Sequence, residues 1–307
     1  MPLHPTLAAM LAKTAGMPAL NTVPVATIRA GDNTRYLTGL PADVVHSVED
    51  RVITGPRGDI PIRIYRPDGE PMRPVTVFFH GSGFVICSIE SHDGMCRQIC
   101  RRSGSVVVSV DYRLAPENKF PAAPDDCFAA TRWVAENAAS FGGDASRLAV
   151  AGDSAGGNMA AVVALRARDE GGPALRAQLL LYPVTDHPSV QRPSYTERAT
   201  GYGLTRDAML WFWDHYLAHP DDGAHPHASP ARAESLKGLP PAYVITGEYD
   251  PLRDEGEHFA ALLREAGVPV EYVRYDDMNH GFLFYVDVID SATRAMDAAC
   301  AWLKRSL

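Results

Sequence analysis

The chain is expected to adopt an α/β fold: a mostly parallel, eight-stranded sheet flanked by helices, with a helical cap over one edge. Three observations point there. Short apolar, β-branched runs alternate with longer stretches of helical period, the pattern of a parallel sheet covered by helices. One such run, Leu148-Ala149-Val150-Ala151, breaks at once into Gly152-Asp153-Ser154-Ala155-Gly156-Gly157 and continues as an alanine-rich stretch. Two segments, 1–42 and 186–237, stand outside the alternation and read as short helices and loops.

In chain order, strands are expected at 51–54, 61–65, 75–79, 106–110, 148–151, 178–182, 242–246 and 270–275. The first two are joined through Gly55-Pro56-Arg57-Gly58-Asp59, so they should form an antiparallel hairpin. Helices are expected at 90–102, 124–138, 155–168, 254–266 and 291–304, each with apolar residues three and four apart. The second outlying segment carries Trp211-Phe212-Trp213-Asp214-His215-Tyr216-Leu217. Its aromatics either cover the edge where ligands bind in such sheets or anchor the insertion to the main core, and the area they bury suits both.

Charge and composition exclude several classes. Acidic residues outnumber basic ones by 37 to 29, and no Lys/Arg cluster with interleaved aromatics occurs, which argues against nucleic acid or an anionic membrane surface as the main partner. Residues 1–20 carry only Lys13 as a charge and are broken by Pro2, Pro5 and Pro18, a poor secretory signal. No apolar stretch is long enough to span a bilayer. Cys87, Cys96, Cys100, Cys127 and Cys300 are odd in number and lack C-x-x-C spacing, so they read as reduced thiols in a cytoplasmic protein.

The break at Ser154 has the form of a nucleophile elbow. A serine hydroxyl is a poor nucleophile, and a sharp strand-to-helix turn lifts it clear of the backbone toward a base. Gly152 and Gly156 avoid collisions in so tight a turn, and the serine should take a positive φ. Acyl transfer also needs an oxyanion hole, a base and a group that orients the base. His80-Gly81-Ser82-Gly83-Phe84 follows a strand where an oxyanion loop belongs, giving the N–H groups of Ser82, Gly83 and Ala155 as donors. His80 is a rival base, but it precedes the elbow and more naturally braces the loop with Gly81. Asp250 lies past a strand end, and His280 follows the next strand, completing the order Ser, acid, His. Asp254 and Glu255 read as first-turn helix charges, and Asp276 and Asp277 as loop charges. His215 and His219 share helical spacing and His225 and His227 form H-x-H, yet without nearby Cys or H-E-x-x-H no metal site is assigned.

Five ordered motifs, namely His80-Gly81-Ser82-Gly83-Phe84, Asp111 through Glu117, the Gly152 to Gly157 elbow, Asp250 through Glu255 and His280-Gly281-Phe282, resemble the hormone-sensitive-lipase-like esterases. This is the bacterial family IV group of the α/β-hydrolase superfamily, and the likeness runs from about residue 75 to 284. The resemblance implies an α/β-hydrolase fold, with a catalytic domain at 43–185 and 238–307 and a helical cap at 1–42 and 186–237. It implies a serine carboxylesterase acting on short-to-medium acyl esters through an acyl-enzyme, with no cofactor and no metal. Ser154 is then nucleophile, His280 base and Asp250 acid, while Phe84, Trp211, Phe282 and Leu283 meet the substrate. A small-molecule ester is the expected partner, and a homodimer is left open. One departure stands out: Ser82 replaces the middle glycine of the usual H-G-G-G, either tolerated there or lending its hydroxyl. The same family includes dehydratases with a hydroxyl residue in this loop and a receptor without the histidine, so those classes stay in view.

Overall fold

The computed structural model describes residues 1–35, 42–69 and 72–307. Its strands are β1 (Ser47–Gly55), β2 (Gly58–Arg66), β3 (Arg73–Phe79), β4 (Val106–Val110), β5 (Gly143–Asp153), β6 (Ala177–Leu181), β7 (Ala242–Tyr249) and β8 (Val270–Asn279). They form one sheet in the order β1-β2-β4-β3-β5-β6-β7-β8. The β1–β2 hairpin is antiparallel, as its turn residues require, and β2 runs antiparallel to β4. All other pairs are parallel.

Side-chain alternation along the central strands builds two cores. Val75, Val77 and Phe79 of β3 and Leu148 and Val150 of β5 face one side, where helices α4 (Ala122–Asn137), α5 (Ala155–Asp169) and α8 (Arg253–Glu265) pack. Phe78, Ala149 and Ala151 face the other, under α3 (Asp93–Ser103) and α9 (Asp290–Ser306). Helix α5 is buried almost all round, which explains its run of alanine and glycine: larger side chains would hold it off the sheet. Each fully buried Val, Leu or Phe contributes roughly 1.5–3 kcal/mol, so both faces of the sheet stabilise the fold.

The strands outrun their apolar signal. β5 begins at Gly143 with the polar stretch Asp144, Ser146 and Arg147, and its pairing with β3 shifts register between Pro74 and Val75. β8 is an edge strand that continues through Asp276 and Asp277 to Asn279, which corrects their reading as loop charges. A strand with one open edge needs no hydrophobic partner on every residue, so polar side chains do not end it.

The two outlying segments are helical. α1 (Pro5–Thr14) buries Leu7 in the α3/α9 core, and the His4 N–H donates to the Asp277 carbonyl at 2.9 Å. From α2 (Val25–Arg35), Arg29 donates to the Val85 carbonyl at 2.8 Å and the Ala115 carbonyl at 2.6 Å. Residues 36–41 of the expected cap lie outside the described residues. The second segment holds α6 (Pro193–Glu197), α7 (Arg206–Tyr216) and short 3-10 turns. Among the described residues no helix is long and apolar enough to cross a membrane, and the five cysteines are buried and unlinked.

Candidate active site

Ser154 stands between β5 and α5 with φ +55° and ψ −119°, the strained turn that its flanking glycines permit. Room is the reason for glycine here: a Cβ on Gly156 would lie 2.7 Å from the His80 carbonyl oxygen, and one on Gly152 2.7 Å from that of Phe79. The elbow therefore presses against the end of β3, where the His80 to Phe84 loop departs.

β7 and β8 deliver the other two groups. Their pairing shifts between Gly247 and Tyr249 and then aligns Tyr249 with Asn279, so Asp250 and His280 leave neighbouring strand ends together. His280 Nε2 lies 3.0 Å from Ser154 Oγ, and its Nδ1 lies 2.7 Å from Asp250 Oδ2. Asp250 is fully buried, and its second oxygen accepts the Leu252 N–H at 2.8 Å. With Nδ1–H donating to the carboxylate, Nε2 is left bare toward the serine, the tautomer a base needs. The ring of Tyr182 packs edge-on to the imidazole at 5.0 Å.

The loop after β3 has three consecutive positive φ values: Ser82 at +88°, Gly83 at +65° and Phe84 at +67°. Among the described residues, no backbone carbonyl in the turns and loops takes the N–H of Ser82, Gly83 or Ala155. Ser82 thus does occupy left-handed space, at a cost of roughly 1–2 kcal/mol for a residue with a Cβ. Its hydroxyl accepts from the Cys87 thiol at 2.8 Å. Gly83 lies under α7: a Cβ there would fall within the Phe212 ring's envelope, with Cδ2 only 2.5 Å away.

His80 does not reach the serine. It is completely buried, stacked on Tyr112 at 4.4 Å, and its Nδ1–H donates to the Gly81 carbonyl at 3.0 Å. Burial, helped by nearby His92, pushes its pKa down to about 3, so the imidazole is neutral. Tyr112 donates its O–H to the His80 carbonyl at 2.7 Å. Asp254 and Glu255 do lie in the first turn of α8. Glu255 is nevertheless buried, with its pKa raised by desolvation, and accepts the Thr185 N–H at 3.1 Å.

The residues expected to meet the substrate are placed differently. Phe84 is wholly buried, stacked on Tyr216 at 3.9 Å and edge-on to Trp213, so it holds α7 down and has no surface to offer a ligand. Phe282, wedged against Tyr182 and Tyr275, and Leu283 are likewise core residues beneath the His280 turn. Apolar area has gone into packing at these three positions. Trp211 alone of the four is part exposed, beside Phe212 and His215.

Sequence reasoning passed over Asp153, His92 and Phe212. Asp153 had a signal, a carboxylate at the end of an otherwise apolar strand. His92 had none, because Ser91-His92-Asp93 reads as an ordinary helix start. Phe212 was one of several aromatics in a row, and nothing in their order says which one covers the loop.

Residues 76–284 match the family described as alpha/beta hydrolase fold. The esterase LipI of Mycobacterium tuberculosis is 46% identical over 275 residues, spanning 87% of this chain and 86% of that protein. An ethyl acetate hydrolase of Pseudomonas putida is 36% identical over 309 residues, with 96% of each chain covered. Among solved structures, a hyperthermophilic esterase from the archaeon Pyrobaculum calidifontis superposes with a TM-score of 0.96 at 43% identity, covering 99% of both chains.

Proposed function

The chain belongs to the α/β-hydrolase fold family, in its hormone-sensitive-lipase-like branch, and from that membership we propose that it is a serine carboxylesterase worked by Ser154, His280 and Asp250. The observation that carries the reading is the unbroken series from Ser154 Oγ to His280 Nε2 at 3.0 Å and from Nδ1 to Asp250 Oδ2 at 2.7 Å. In this reading His280 takes the serine proton as Oγ attacks the ester carbonyl. The N–H groups of Ser82, Gly83 and Ala155 hold the tetrahedral oxyanion. His280 then returns the proton to the departing alcohol, leaving Ser154 acylated. Water, deprotonated by the same imidazole, attacks the acyl-enzyme, and the acid leaves as the serine is restored. Asp250 keeps Nδ1 protonated and offsets the charge that forms on the ring.

Two other classes are disfavoured by specific contacts. A receptor has no use for an imidazole strung between a hydroxyl and a buried carboxylate. A dehydratase would turn the loop hydroxyl to its substrate, whereas the Ser82 oxygen accepts the Cys87 thiol. Residues 1–42 and 186–237 act as the cap of a catalytic domain formed by 43–185 and 238–307, with α7 seated on the oxyanion loop. A site covered in this way suits acyl groups of roughly two to eight carbons, given typical small-molecule pocket volumes. The setting is the cytoplasm, in keeping with five unlinked cysteines, and the assembly a monomer or homodimer.

A panel of acetyl, butyryl, octanoyl and palmitoyl p-nitrophenyl esters, run beside Ser154→Ala, tests this. Turnover should peak on the shorter esters and vanish in the variant, which should stay folded. Hydrolysis by Ser154→Ala at the native rate would remove Ser154 from the chemistry, and a palmitoyl optimum would make the enzyme a lipase.

A further inference from the structure

Behind the nucleophile lies a buried acid and imidazole that the proposed reaction does not use. Asp153, only 2% exposed, directly precedes Ser154. Its Oδ1 accepts the Gly81 N–H at 2.8 Å and faces His92 Nε2 at 3.2 Å. His92 is fully buried, with Nδ1 2.9 Å from Ser91 Oγ and its ring edge-on to Phe284 at 5.1 Å. Gly81 in turn directly precedes the two loop residues whose N–H groups are read as oxyanion donors. One carboxylate therefore joins the nucleophile's backbone to the oxyanion loop, across two parts of the chain 72 residues apart.

Elementary energetics argues for more than filler. A buried carboxylate is costly unless its oxygens are bonded, and bonds to an ionised acceptor are short and strong. The Gly81 N–H is shared, its longer contact reaching His92 Nε2 at 3.4 Å. With the His92 proton on Nε2, Asp153 takes both donors on one oxygen, which fixes the direction of the carboxylate as well as its place. They also draw charge away from a position where a bare anion would oppose the oxyanion forming on the neighbouring residue. Loop position matters steeply, since a displacement of about 1 Å costs about 100-fold in rate.

The geometry points to Asp153 and His92 as positioning residues: the imidazole aims the carboxylate, and the carboxylate holds the oxyanion loop at a fixed distance from the Ser154 hydroxyl. This rests on the reading of Ser154 as nucleophile and of Ser82, Gly83 and Ala155 as donors. Neither residue touches the substrate, so their effect falls on the transition state alone. They should act as one unit, His92 working only through Asp153.

The test uses the full chain with p-nitrophenyl butyrate as substrate and butyl trifluoromethyl ketone as the inhibitor, whose serine adduct places an oxyanion in the hole. Asp153→Asn and His92→Phe should each lower kcat about 10- to 100-fold with KM within about twofold, and weaken the inhibitor by the same factor. His92→Gln, which keeps an N–H for the carboxylate, should recover most of the loss. The double variant Asp153→Asn/His92→Phe should be no slower than the slower single variant. A lowered Tm with native kcat and inhibitor affinity would overturn the inference by making the pair purely structural, as would a His92→Gln enzyme as slow as His92→Phe. Should Asp153→Asn fail to fold, the comparison of Phe and Gln at position 92 decides alone. An active Ser154→Ala would sink the underlying reading, whereas an inert Ser154→Ala beside an unimpaired His92→Phe would sink only this step.

Discussion

On the proposed mechanism, adding a single methyl to Gly83 should disable the enzyme by moving the loop read as its oxyanion hole. The Cβ of Gly83→Ala would lie 2.5 Å from Phe212 Cδ2 and deeper still in the rest of that ring. Ordinary carbon contacts fall at about 3.5–4.0 Å, so loop and α7 must part by about 1 Å. A shift of that size is worth about 100-fold in rate. The φ of +65° at residue 83 adds a conformational cost of roughly 1–2 kcal/mol, which the loop can shed only by turning its N–H away. Together these predict a fall in kcat of about 10²–10³ on p-nitrophenyl butyrate, comparable to losing one oxyanion donor. KM should change little, because the ground-state carbonyl gains less from that donor. A second substitution separates the two causes. Phe212→Ala alone should cost about 3–5 kcal/mol of stability as a buried aromatic is lost, measured by urea unfolding. In the double variant the overlap is gone and only the backbone cost persists, so kcat should recover to within about 30-fold of the parent. Native turnover by Gly83→Ala, or a double variant no faster than the single, would refute the claim that α7 fixes this loop by contact.

Two further outcomes follow from groups around the same loop. Burial lowers the His80 pKa from 6.5 to about 3, so below pH 6.5 the unfolded chain binds a proton that the folded chain refuses. The stabilisation is full above that point and is lost as pH falls toward 3; the Tm advantage of the parent over His80→Asn should therefore shrink from pH 7 to pH 4. Buried Glu255, shifted upward by desolvation, acts in the opposite sense but equally in both proteins, and a pH-independent difference would contradict the assignment. Ser82→Gly relieves a φ of +88° but gives up the Cys87 contact, so turnover on a butyrate ester should stay within about threefold of the parent. Collapse of turnover would instead assign the hydroxyl a part in the chemistry.

The sheet could be read from the sequence wherever a strand is buried on both faces, since β-branched runs such as Val106–Val110 have no other good use. Strand ends could not, because the polar ends of β5 and β8 are held by backbone pairing that leaves no apolar trace. The candidate nucleophile, acid and base were visible for a similar reason: each sits in a short turn just past a strand, where glycine or proline stands beside a polar residue. The substrate-facing set was not. Which of Trp211, Phe212, Trp213 and Tyr216 points to the loop depends on how α7 is rotated, and that is decided by Phe84 far away in the chain. Likewise nothing local distinguishes His92 from a solvent-facing helix start; its partner, Asp153, lies two strands further along the sequence, at the end of β5.

The register that sets Tyr249 beside Asn279 also has a bearing on synthesis. Ser154 precedes its imidazole partner by 126 residues, so on the proposed mechanism a ribosome releases the hydroxyl long before anything exists to activate it. Only when the last edge strand zips onto β7 does the hydroxyl acquire a proton acceptor. On that reading a truncated chain should be inert toward esters, and the appearance of turnover during translation would time the completion of the sheet itself.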